Sequence, residues 1–100
     1  MKKAKLIAKE LRDKLLEYSD FVGLYLYGSQ VTEKAAKDSD IDIVAIFKDS
    51  KDDYEDAILK AWDLELENNV IIDFHPFSFS QISLDPFYFN EIKKGIYYAR

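Results

Sequence analysis

The stretch LYGSQVTEKAAKDSDIDI, residues 26–43, joins the end of one apolar run to the start of another. Upstream, Phe21 to Tyr27 is rich in β-branched and aromatic residues and predicts a buried strand. Gly28-Ser29 ends it, residues 30–37 suit a short helix or an ordered loop, and Asp38-Ser39 reads as a turn. Asp40 to Phe47 then predicts a second strand. Positions i and i+2 of a strand share a face, so Asp40 and Asp42 are expected to project together while Ile41 and Ile43 point the other way. Two carboxylates held so close repel, and the arrangement is costly unless a cation or full solvation compensates it. Mg²⁺ suits such a pair, because it takes hard oxygen ligands, commonly one or two carboxylates plus substrate phosphates. Gly28, twelve residues ahead of Asp40, lets a backbone approach a phosphate closely, and Ser29 adds a hydroxyl. The competing reading is a common Gly-Ser turn followed by an edge strand with two exposed acids.

Outward from this stretch, residues 3–18 read as an amphipathic helix with Leu6, Ile7, Leu11, Leu15 and Leu16 at helical spacing. Residues 54–67 read as a second helix, with Ile58, Leu59, Trp62 and Leu66 as its apolar stripe and Asn68-Asn69 closing it. Val70 to Phe74 predicts a third strand stopped by Pro76, residues 77–85 an irregular segment, and residues 86–94 a final helix ending at Gly95. The pattern is α+β or α/β: a small mixed sheet of about three or more strands with helices packed on it. The link between the first two strands does not itself fix their relative direction. Asp73 interrupts the apolar third strand and shares a face with Ile71 and His75. If that strand lies beside the second, Asp73 joins Asp40 and Asp42. Three carboxylates can hold two divalent ions, the arrangement used for in-line phosphoryl or nucleotidyl transfer. Asp73 would then be placed to help deprotonate an acceptor hydroxyl.

A length of 100 residues predicts one compact domain over 1–100. The chain has no cysteine, which excludes a disulfide scaffold, thiol catalysis and cysteine-ligated zinc. No segment reaches the roughly twenty apolar residues that cross a bilayer, and the N-terminus lacks an apolar signal core, so no membrane association and a cytoplasmic location are expected. The net charge of −5 argues against nucleic-acid binding by phosphate neutralisation, while leaving room for a nucleotide bound through a metal.

Leu26-Tyr27-Gly28-Ser29 through Ser39-Asp40-Ile41-Asp42-Ile43 resembles the signature of the DNA polymerase β-like nucleotidyltransferase superfamily, and in particular its smallest branch, the minimal nucleotidyltransferases. Asp73 and the closing stretch Asn90 to Tyr98 also look like that branch. The resemblance implies a polymerase β palm-like fold, with Gly28 and Ser29 on the triphosphate of ATP or another nucleoside triphosphate. Asp40, Asp42 and Asp73 would be the metal-binding, catalytic triad. It implies a Mg²⁺-dependent reaction in which a nucleoside monophosphate joins an acceptor hydroxyl and pyrophosphate leaves. Many minimal members are encoded beside a HEPN-domain protein, often as its antitoxin, and some transfer AMP from ATP onto a tyrosine of that partner. The expected activity is therefore nucleotidyl transfer to a hydroxyl of a partner protein in a toxin–antitoxin pair. Larger relatives use further domains to bind the acceptor, so a homodimer or hetero-oligomer that completes the acceptor site is expected.

Many relatives carry Ala-Arg-Gly after Gly-Ser-x, where this chain has Val31-Thr32-Glu33. That departure supports a rival reading: a degenerate, non-catalytic subunit that neutralises a HEPN-type partner by binding alone. A transferase for a small molecule is a third, weaker reading. His75, the only histidine, and Lys34 and Lys37 between the halves of the motif are more simply a structural hydrogen-bonder and solvated charges. Tyr25, Tyr27 and Trp62 read as core or interface. The dense aromatics Phe77, Phe79, Phe87, Tyr88 and Phe89 mark a protein–protein surface wherever they remain exposed.

Overall fold

The computed structural model describes residues 2–28, 40–48 and 54–100. Its elements run α1 (Lys2–Leu15), β1 (Phe21–Tyr27), β2 (Ile41–Phe47), α2 (Tyr54–Asn68), β3 (Ile72–Ser78), α3 (Phe79–Ser83), α4 (Pro86–Ile92) and β4 (Ile96–Ala99). The sheet order is β3-β2-β1-β4. β1 pairs antiparallel with both β2 and β4, and β2 pairs parallel with β3. A parallel pair needs a long crossover, and α2 supplies it. The expected class, a small mixed sheet with helices packed on it, is the one observed.

Central strand β2 explains the layering. Ile43, Val44, Ala45, Ile46 and Phe47 are all buried in succession, the pattern of a strand covered on both faces. One face gives Leu24, Leu26, Ile41, Ile43, Ala45, Phe47 and Ile72 to a core shared with α1 and α2. The other gives Val44 and Ile46 to a smaller cluster with Ile82 of α3 and Ile92 of α4, edged by Tyr25, Tyr27, Phe77 and Tyr88. A bulge between Phe21 and Gly23 lets Phe21 and Leu24 face the same side, where Phe21 packs on Phe47 with ring centroids 5.7 Å apart.

α1 buries most of its expected stripe, whereas α2 buries a different one from that which its large side chains suggest. α1 turns Ala4, Ile7, Ala8, Leu11 and Leu15 inward and leaves Leu6 and Leu16 exposed. α2 buries Ala57, Ala61 and Leu64, so Leu59, Trp62 and Leu66 lie outside. Its alanines let the helix approach the sheet more closely than Trp62 would. α1 also ends at Leu15 rather than 18; Tyr18 folds back into the core, and its hydroxyl bonds the Asp56 carboxylate.

The segment from Val70 onward is more regular than its sequence predicts. β3 continues through Pro76 to Ser78, because an edge strand can spare the ladder N–H that proline lacks. Residues 79–83, expected to be irregular, form α3 behind a capping box: Gln81 N–H donates to Ser78 Oγ at 3.1 Å, and Ser78 N–H donates to Gln81 Oε1 at 2.8 Å. Asp85 caps α4, accepting from Tyr88 N–H at 3.1 Å, with Pro86 in the first turn.

Ile96–Ala99 becomes an edge strand beside β1. Gly95 makes that turn possible, since a Cβ there would meet the Leu26 carbonyl and the Tyr27 backbone. Arg100 fastens its end. Its guanidinium donates to the carbonyls of Tyr18 at 2.6 Å, Phe21 at 3.2 Å and Leu16 at 3.1 Å, tying the C-terminal strand to the α1–β1 turn. Charged hydrogen bonds of this kind contribute about 1.5–3 kcal/mol each where shielded and less in water. Arg100→Ala is expected to lower unfolding free energy by about 1–3 kcal/mol, read as a lower urea midpoint at unchanged m-value.

Candidate functional site

The site forms where β1, β2 and β3 line up. Tyr27 pairs with Asp42, and Asp42 pairs with Asp73, so the three residues make one row across the sheet. Directly opposed residues on neighbouring strands point to the same face. That face is the one opposite α1 and α2, because Ile41, Ile43 and Ile72 around the two acids belong to the helical core. The parallel pairing of β2 with β3 fulfils the condition on which Asp73 could join Asp42.

Asp42 sits low in this row and is half-buried. Its carboxyl is held above the usual aspartate value. Burial is the largest cause, followed by the charge of Asp73, a hydrogen bond shared with Asp73 and the charge of Asp40; His75 pulls the other way. Two carboxyls that share a hydrogen bond must share a proton or be bridged by a cation. Asp73 is exposed, and His75 Nε2 stands 3.0 Å from its Oδ1.

Asp40 is placed differently from Asp42. β2 begins at Ile41, where Ile41 N–H donates to the Ile71 carbonyl at 2.9 Å, and Asp40 lies exposed just ahead of it. Among the described residues no group of three or more His, Asp and Glu side chains gathers with the geometry of a metal cluster. The side chains brought together are Asp42 and Asp73, with Asp40 near enough for its charge to act on Asp42.

Gly28 closes the row from the β1 side. It has φ of +83°, and a Cβ there would stand 2.5 Å from Asp42 Oδ2. The glycine therefore serves two needs at once: a left-handed turn directly after β1 and a bare backbone against the carboxylate. Ser29, like Thr32, Glu33, Lys34, Lys37 and Ser39, lies outside the described residues.

Aromatic side chains wall the site. Tyr27 Oη and Tyr88 Oη are 3.2 Å apart, Phe77 meets Tyr88 edge to face, and His75 stacks on Phe77 with centroids 6.4 Å apart. Burial, then the bond to Tyr88 and the neighbouring negative charges, pushes the Tyr27 hydroxyl far above its ordinary value, so it stays protonated. The sequence reading left Tyr27 and Tyr88 outside the site. The signal for Tyr27 was its position immediately before Gly28; nothing local in the sequence places Tyr88, which arrives through α4. A separate open cleft of about 400 Å³, lined by Val22, Tyr25, Ile46 and Phe89 among others, belongs to the far end of β1. Phe21 pairs with Phe47 there, well away from the carboxylates.

Glycine turn, paired acids on adjacent parallel strands, and a helical layer behind them form one assembly. Residues 5–98 match the model of the nucleotidyltransferase domain family. The chain belongs to that family. No curated protein matches it. Nucleotidyltransferases of this family generally use a nucleoside triphosphate and a divalent metal. The donor set fits such a metal, because Asp42 and Asp73 offer adjacent hard oxygens whose mutual repulsion a cation relieves. Among the described residues no helix of this nucleotidyltransferase is long and apolar enough to cross a membrane.

The raised pKa of Asp42 has a thermodynamic sign. The fold binds its proton more tightly than the unfolded chain does, so this contribution to stability is present below the unfolded value near 3.8. It is lost as pH rises through the higher folded value. At pH 7.5 in EDTA, Asp42→Asn is therefore expected to melt at a higher temperature than the wild type, with the difference vanishing below about pH 4. Adding Mg²⁺ is expected to raise the melting temperature of the wild type and leave that of Asp42→Asn unchanged.

Proposed function

We propose that this chain is a Mg²⁺-dependent nucleotidyltransferase that moves AMP from ATP to a hydroxyl on a partner protein, and that the partner is a HEPN-domain protein neutralised by the modification. The observation that carries the reading is the pairing of Asp42 with Asp73 on neighbouring strands, with the bare backbone of Gly28 against the Asp42 carboxylate.

In this reading Asp42 and Asp73 would hold the metal, with Asp40 contributing at the outer side, and the ion would supply charge neutralisation for the triphosphate and the pyrophosphate. Gly28 allows the phosphate chain to lie against the backbone, and Ser29 adds a hydroxyl to it. Asp73, the more exposed acid, faces the incoming hydroxyl and accepts its proton. His75 keeps that carboxylate oriented. The acceptor oxygen forms its bond to the α-phosphorus as the bond from that phosphorus to the bridging oxygen of pyrophosphate breaks. The Tyr27 and Tyr88 hydroxyls beside the row are suited to an acceptor or ribose oxygen.

The rival reading is a subunit that binds its partner without modifying it. Thr32 and Glu33 favour it, because a hydroxyl and an acid stand where many relatives have a cationic and a flexible residue.

The deciding experiment combines calorimetry with label transfer. Mg²⁺-ATP is expected to bind the wild type and not Asp40→Asn/Asp42→Asn. Label from the α-phosphate of ATP is expected to appear on a HEPN-domain protein supplied as the acceptor. Asp73→Asn should still bind the nucleotide but transfer roughly 10²- to 10⁴-fold more slowly, the loss typical of a removed general base. Neutralisation of the partner by Asp42→Asn at wild-type strength would instead establish the binding-only reading.

A further inference from the structure

At the far end of β1 from the carboxylates, two open clefts meet. One, of about 400 Å³, is lined by Val22, Tyr25, Phe79, Phe89, Lys93 and Tyr97 among others. The second, of about 420 Å³, shares Val22 and Phe79 and adds Lys48, Ser80 and Ser83. Such volumes lie in the range of small-molecule sites. Four aromatic rings line the first cleft. Two of them stay largely in water: Phe79 is 57 % exposed and Tyr97 44 %.

The wall of the first cleft is built at a cost to its strand. Tyr97 lies across Gly23, where a Cβ would stand 2.6 Å from Tyr97 Cζ. Glycine inside a strand weakens it and marks a place of close approach. Here the approach lays Tyr97 beside Tyr25, with ring centroids 4.6 Å apart, and its hydroxyl donates to the Val22 carbonyl at 3.4 Å. Phe89 meets Tyr25 and Phe79 edge to face, at 6.3 Å and 6.5 Å. Together they offer a ligand ring both faces and edges. Lys93 Nζ rests 4.5 Å from the centre of the Phe89 ring. Among the described residues Lys93 makes no ion pair, and no acid lines either cleft. A chain of net charge −5 thus sets an unpaired cation among aromatic rings.

We propose that this cleft binds a small planar aromatic anion, its ring among Phe79, Phe89 and Tyr97 and its carboxylate on Lys93. The rings select a flat apolar body, and the ammonium selects the sign of its charge. The backbone around the cleft argues against a peptide as the occupant. The Val22 carbonyl already accepts from Arg100 N–H at 3.0 Å and from the Tyr97 hydroxyl. The Lys48 carbonyl accepts from Phe79 N–H at 3.2 Å, and the Phe79 carbonyl from Ser83 Oγ at 2.7 Å. A peptide laid here finds those three carbonyls engaged, whereas an aromatic acid needs only the rings and the ammonium. The inference does not depend on the catalytic reading, since Asp42 and Asp73 line neither cleft.

The test is titration of 2-naphthoate into the full chain, read by calorimetry and by amide NMR shifts, with circular dichroism to confirm that each variant is folded. A Kd on the order of 100 µM is expected. Shifts should appear at Val22, Phe79, Phe89 and Tyr97 and not at Asp73. 2-Naphthylmethanol, the same ring without the charge, should bind roughly fivefold more weakly, and 2-naphthylmethylammonium more weakly still. Lys93→Met keeps an apolar stem on Phe89 and is expected to erase the preference for the carboxylate while leaving the alcohol unchanged. Phe79→Ala, at an exposed position, should weaken 2-naphthoate roughly tenfold. No binding of 2-naphthoate at about 2 mM, equal binding of acid and alcohol, or shifts confined to Leu59 and Trp62 of α2 would overturn the inference. So would a blocked Asp-Trp dipeptide that binds where 2-naphthoate does not, which would assign the cleft to a protein partner.

Discussion

Two carboxylates side by side on neighbouring strands are an electrostatic cost, and the sheet around Asp42 and Asp73 is built so that the cost is borne at one place. β2 is buried on both faces from Ile43 to Phe47, which fixes it as the central strand and leaves no freedom in its register. A slip of one residue would turn Asp42 into the α1–α2 core and Ile43 out of it. The helical core therefore determines where Asp42 points. The parallel pairing enforced by the α2 crossover then brings Asp73 alongside. Burial of Asp42, and after it the charge of Asp73, follow from that arrangement and together raise the pKa of Asp42. A structure stabilised by its hydrophobic register can hold charges together that would separate on a looser frame.

The sequence made this site legible because its signals are local. Gly28 follows an apolar run directly, and Asp42 and Asp73 each interrupt one. Such interruptions need a reason, and strand alternation says which way they face. Asp40 shows where alternation ceases to inform. The argument that pairs it with Asp42 assumes a strand that includes it, but the ladder starts one residue later, at Ile41. Tyr88 illustrates the other limit: it reaches Tyr27 across 61 residues, through a helix whose direction is set by the Asp85 cap and the packing of Ile92. No spacing rule carries that information.

The buried stripe of α2 differs from expectation for a related reason. Hydrophobic periodicity identifies an apolar face but cannot rank two of them on one helix. α2 has a stripe of large side chains, Leu59, Trp62 and Leu66, and a stripe of small ones, Ala57 and Ala61 with Leu64. Size favours the first for the core, yet the sheet accepted the second, because alanines permit the close helix–sheet approach that β2 and β3 require. Pro76 does not stop the third strand because of that strand's position in the sheet. It belongs to an edge strand, where a missing N–H is tolerated.

The large stripe that the core rejected and the acids that the core positions lie on opposite sides of the same sheet. Alternation along β2 guarantees this: Ile41 and Ile43 face the helices, and Asp42 faces away. Only the sheet connects them, through β2, whose consecutive buried residues touch both layers. A change that loosens β2 packing should therefore disturb the Asp42–Asp73 pair and the seating of the helices together. A change at Trp62 or Leu66, outside the core, should leave the pair intact.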